Sequence, residues 1–122
     1  MKKSEIKWLD LPEEHNYPAA HSYLSLLYEF EVVDNIIDRL RQAPIIEVKA
    51  KDIFRASALS LLGVSNSHVA KDQEKIMQKK PLSPLLLVRD PNNGRVVVAD
   101  GYHRLCAVYT FDEDALIPAK LA

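Results

Sequence analysis

The chain predicts an α+β fold, a small mixed sheet with helices, preceded by an N-terminal helical hairpin. Three observations point there. Residues 18–42 carry apolar side chains at helical rather than alternating spacing. Two aliphatic runs, LLLV and VVVA, flank the turn sequence DPNNG. A short helical stretch then leads to IPAKLA, a last strand-like segment. Helices come first and strands mix with helices afterwards, an order that favours α+β over a regularly alternating fold. At 122 residues, 48% hydrophobic and 27% charged, the chain has single-domain size and a globular composition. It divides into a helical extension over residues 1–44 and a core over residues 45–122.

One straight helix does not fit residues 18–42. At about 100° per residue, Tyr23, Leu24, Leu27 and Tyr28 centre on one side of the wheel. Val32, Val33, Ile36, Ile37 and Leu40 centre almost opposite. A break near Glu29–Glu31 resolves the conflict and gives two helices. Asn16 is the expected cap of the first, with Pro18 in its first turn. Pro44 stops the second, because the residue before proline is pushed out of the helical region. The pair is a helical cover or a surface for a second copy or a protein partner.

Ile45–Val48 is a strand candidate, and KAKDIFRAS a turn with a short helix. VSNSH (64–68) reads as a loop in which Asn66 or Ser67 caps the following helix, Val69 to Gln78. Val69, Ile76 and Met77 are that helix's apolar anchors, and KKPLSP ends it. Leu85–Arg89 and Arg95–Ala99 form a hairpin around Asp90–Gly94. Their near-continuous apolar runs indicate strands covered on both faces. A helix from Tyr102 to Phe111 and the closing strand IPAKLA complete the chain.

The formal net charge of −1 gives no global basic field for nucleic acid, and argues against that partner. Lys71, Lys75, Lys79 and Lys80 cluster in sequence, which reads first as a solvated helix face. Cys106 is the single cysteine, so no internal disulfide can form, and its apolar neighbours make it a core residue. No segment has the roughly 20 apolar residues that span a bilayer, and no secretory leader is apparent, so a cytoplasmic location is expected.

Chemistry concentrates in ADGYHR (99–104). Gly101 allows a sharp turn between strand and helix. The helix start offers unpaired N–H groups and the positive end of the dipole, a ready cradle for phosphate. His103 and Arg104 add an imidazole and a guanidinium fork to that cradle. Asp100 could cap the helix, position Arg104, or act on a metal or a hydroxyl.

With strand, hairpin, glycine turn, helix and closing strand in order, residues 45–122 resemble the ParB/sulfiredoxin superfamily. GYHRLCAVYTFDEDALIPAKLA is similar to the Gly-Cys-His-Arg helix and closing Ile-Pro-Ala-Lys-Leu strand of sulfiredoxin, and to the Gly-x-Arg-Arg box of ParB. HVAKDQEKI and PLSPLLLV are similar to the helix, proline and strand before that box. The resemblance implies a nucleotide-binding fold in which Gly101, Tyr102, His103 and Arg104 cradle phosphate. It also implies contributions from His68, Lys71 and Lys75 on the preceding helix. A nucleoside triphosphate or diphosphate with Mg²⁺ is the implied ligand, with Asp100 and His103 as the catalytic candidates. Asp52 or Asp72 could serve as base if folding brings either into the cleft. Tyr102 stands where sulfiredoxin has its catalytic cysteine, so sulfinic-acid reduction is not expected. ParB's following helix-turn-helix domain has no counterpart, so partitioning is not transferred. A phosphotransferase or phosphohydrolase, a non-catalytic regulatory module, and a ParB-like nucleic-acid protein are the three functions left.

Overall fold

A computed structural model describes residues 6–60 and 66–122. The N-terminal helices are α1 (Asn16–Leu24) and α2 (Phe30–Gln42). Strand β1 (Ile46–Lys49) runs into α3 (Ala50–Ser57), and α4 spans Ser67–Met77. Strands β2 (Leu85–Asp90) and β3 (Arg95–Asp100) precede α5 (Tyr102–Phe111) and β4 (Leu116–Leu121). This is the α+β fold with a small mixed sheet that the sequence predicts.

The sheet order is β1-β4-β2-β3. β4 is antiparallel to β1 and parallel to β2, while β2 and β3 form an antiparallel hairpin. Alternate residues of β2 and β3 face opposite sides, which is why both strands read as continuous aliphatic runs. Leu85, Leu87 and Val98 pack with Ile53, Val69, Leu105 and Ile117 beneath α3, α4 and α5. Leu86, Val88, Val97 and Ala99 pack against Tyr17, Ala20, Leu24, Val33, Ile36, Ile37 and Leu40 of α1 and α2. The N-terminal helices are therefore the cover of one sheet face. Lys120 on β4 reinforces the layer by donating to the Arg41 carbonyl at 2.8 Å.

Several expectations need correction. The break between the helices falls at residues 25–29, slightly earlier than Glu29–Glu31. Asn16 is not a cap: it lies in the first turn of α1, buried, after His15 at the cap position. Its side-chain oxygen accepts the Glu13 N–H at 3.0 Å and the Ser83 hydroxyl instead. A buried polar pair that needs an acceptor has claimed the side chain. The apolar face of α1 that is buried is Tyr17, Ala20 and Leu24, whereas Tyr23 and Leu27 stay exposed. Met77 anchors nothing and is 74% exposed, because α4 needs only Val69 and Ile76 to reach the core. Asn66 does cap α4, accepting from the N–H groups of His68 and Val69. Positions 64 and 65 of the expected loop lie outside the described residues. Among the described residues no helix is long and apolar enough to cross a membrane.

Candidate functional site

The hairpin's register slips between Leu86 and Leu87, so β3 carries one extra residue before Asp100. Such bulges re-aim the side chain that follows. Gly101 then takes φ 108°, a left-handed conformation that opens α5. A Cβ at this position would sit 2.7 Å from both Leu85 Cγ and Arg104 Nη2. Glycine is required twice, by dihedral and by space.

Among the described residues no side chain caps α5, and Asp100 has a different task. Its carboxylate accepts from Arg104 Nη2 at 2.6 Å, and Arg104 Nη1 donates to the Ser83 carbonyl at 3.1 Å. Both side chains of the pair are largely buried. Arg104 thus braces the turn between β3 and the segment leading into β2. Ser83, also buried, takes the Glu13 N–H at 3.1 Å and donates to Asn16. One serine therefore ties the box to the N-terminal segment.

Helices α4 and α5 begin side by side. The rings of His68 and His103, each in the first turn of its helix, stand with centroids 4.9 Å apart. An open cleft of about 340 Å³ lies here, lined by His68, Lys71, Asp72, Lys75, Asp100, His103 and Arg104 together with Glu13, His15 and Asn16. Six of the eight site residues expected from sequence meet in it. Gly101 and Tyr102 border a neighbouring pocket across the box. Lys79 and Lys80 follow the end of α4 and do not line the cleft. Asp52 lies away from it, on α3 beside Arg55 at 3.8 Å.

Asp72 does reach the cleft. Burial raises its carboxyl above the ordinary value, and outweighs the opposing pull of Lys75, Arg104, His103 and His68. A raised native value means that the folded state favours the proton, so this group contributes stability at low pH and loses it as pH rises. Asp72→Asn should therefore melt higher than wild type at neutral pH. The advantage should vanish as pH falls below the unfolded value near ~3.9. Paired melting curves across that range check the sign. Equal midpoints at neutral pH would show a solvated carboxylate.

Sequence reasoning missed Glu13 and His15. They reach the cleft through the contacts of Asn16 and Glu13 with Ser83, which join positions 67 and 70 residues apart. No local pattern carries such a pairing. A second polar chain, Ser25–His21–Asp34, has the residue order of a hydrolytic triad. His21 Nε2 is 2.9 Å from Asp34, but the Ser25 hydroxyl donates to the His21 carbonyl at 2.8 Å and lies 3.5 Å from Nδ1. With its proton engaged by the backbone, Ser25 ends an interhelical tie between α1 and α2.

Comparisons of the chain with protein-family models, curated proteins and solved structures give no match. Function therefore has to be read from the cleft's own chemistry. Its charges are mixed: Lys71, Lys75 and Arg104 share the lining with Glu13, Asp72 and Asp100 and with three imidazoles, His15, His68 and His103. Among the described residues, no group of three or more His, Cys, Asp or Glu side chains is placed to hold a metal ion.

Proposed function

We propose that the cleft binds a phosphorylated small molecule, a nucleoside triphosphate or diphosphate taken as its Mg²⁺ complex. The observation that carries this reading is the start of α5 at His103, set beside His68 and ringed by Lys71, Lys75 and Arg104. Helix starts and cations both favour phosphate oxygens. The carboxylates lining the cleft are not grouped to hold a metal ion by themselves, so the phosphates would carry it. Mg²⁺ would enter with the phosphates. The resemblance of residues 45–122 to the ParB/sulfiredoxin superfamily supports the same ligand class.

Within this reading, Lys71 and Lys75 are the exposed phosphate contacts, and Arg104, held by Asp100, is both contact and brace. If turnover follows, it is phosphotransfer or phosphohydrolysis. His103 would then move protons, with Asp72 or Asp100 as the carboxylate base. Sulfinic-acid reduction has little support. Tyr102 gives its hydroxyl to the Ser60 carbonyl, and Cys106 is fully buried. A second reading, a nucleotide-responsive regulatory module without turnover, gains from the exposed Leu26, Phe30 and Val32 near the turn joining α1 and α2. Those side chains suit a protein partner or a second copy meeting residues 18–42. The net charge of −1 still weighs against nucleic acid.

Thermal stabilisation by nucleotides with Mg²⁺ tests the reading. A ligand at 100 times its Kd adds about 2.7 kcal/mol, which for a chain of this size raises the melting midpoint on the order of 10 °C. The double substitution Lys71→Ala/Lys75→Ala should remove most of that shift. Both lysines are exposed, so the unliganded midpoint should hardly move. No shift with any nucleotide would overturn the proposal.

A further inference from the structure

On the other side of the box lies a second cavity of about 330 Å³. Ala19, Tyr23, Leu59, Val98 and Tyr102 form its mostly apolar wall. Asp100 and His103 line both this pocket and the cleft. The two spaces are therefore adjoining halves, divided by one short stretch of chain. A run of rings crosses the divide: His68 to His103 at 4.9 Å, then His103 to Tyr102 at 5.6 Å between centroids. The bond from the Tyr102 hydroxyl to the Ser60 carbonyl restrains that ring at the pocket wall.

From this juxtaposition we infer that the apolar pocket receives the base of the nucleotide whose phosphates occupy the cleft. The inference rests on the phosphate reading above and extends it to the rest of the ligand. Tyr23 and Leu59 remain 43% and 41% exposed beside the pocket, large apolar surfaces that a flat aromatic ring would cover. A base stacks readily on tyrosine, and the contact depends little on which base it is. The pocket thus selects an amphiphilic ligand, anionic at one end and aromatic at the other, over inorganic polyphosphate. It also gives α1 a part in recognition, since Ala19 and Tyr23 supply one wall.

Titration calorimetry with tripolyphosphate and with ATP, GTP, CTP and UTP, each with Mg²⁺, tests this. At least one nucleotide should bind fivefold or more tightly than tripolyphosphate, roughly the lower end for stacking one base. Tyr23→Ser and Leu59→Gln should each erase that preference and leave tripolyphosphate affinity unchanged. Both side chains are exposed enough for the fold to survive, and unchanged melting of the unliganded variants would confirm it. Tripolyphosphate binding as tightly as every nucleotide overturns the base pocket while the phosphate cleft stands. So does a nucleotide preference that survives both substitutions. Binding of neither class overturns the cleft and the pocket together.

Discussion

A chain reduced to residues 45–122 should show no cooperative unfolding transition. The face of the sheet formed by Leu86, Val88, Val97 and Ala99 is covered by seven buried apolar residues of α1 and α2. Removing them exposes a contiguous apolar surface on the sheet, four strands wide among the described residues. Each fully buried aliphatic or aromatic side chain contributes about 1.5–3 kcal/mol of transfer free energy. Loss of several exceeds the ~5–15 kcal/mol by which small proteins are stable. Lys120 would also lose its acceptor at Arg41, and Ser83 its partners Glu13 and Asn16. Urea titration followed by circular dichroism is the check. A sigmoidal transition from the fragment would show that the N-terminal helices are an accessory, as the division at residue 44 implies.

Gly101→Ala should destabilise the whole chain by on the order of 3 kcal/mol. About 1–2 kcal/mol comes from holding an L-residue in the left-handed region. A further ~1–3 kcal/mol comes from forcing a methyl into filled space. Leu85 is fully buried and cannot retreat, and Arg104 can move only by leaving Asp100 or Ser83. Gly94 supplies the comparison. It too has positive φ, 62°, but a Cβ there meets nothing within 4 Å. Gly94→Ala should therefore show only the cost of an ordinary left-handed conformation. The difference between the two urea midpoints, at constant slope, reports the crowding at the box together with the added strain of φ 108°. Similar losses at both positions would mean that the box relaxes around a methyl group.

Much of the architecture was legible because local chemistry decides it. LLLV and VVVA can be satisfied only by strands with apolar partners on both faces, and the structure supplies both. Helix α5 starts after Gly101 and ends at Phe111, because a glycine turn and the acidic DED fix its limits. The opposed stripes of residues 18–42 were enough to demand two helices. Failures occur where distant residues compete for a side chain. Asn16 has the chemistry of a cap, but Ser83 and the Glu13 N–H hold its oxygen. Met77 has the hydrophobicity of an anchor, yet the core is filled without it. At the candidate site, the box and the cations of α4 were visible as residue types at suggestive spacings. Glu13 and His15 were not, since they arrive through tertiary contacts alone.

The place of β4 in the sheet has a consequence for how the protein is made. β4 follows the other three described strands in sequence, yet it lies between β1 and β2. While the ribosome is still short of residue 116, β1 and the β2–β3 hairpin have no strand to join them. Each then presents a bare edge, the feature that invites pairing with another chain. The interval is a vulnerable one for a nascent chain. A chain that stops just before Leu116 would lack this central strand, and the vulnerability would be permanent. Such a product should aggregate or be degraded rather than fold.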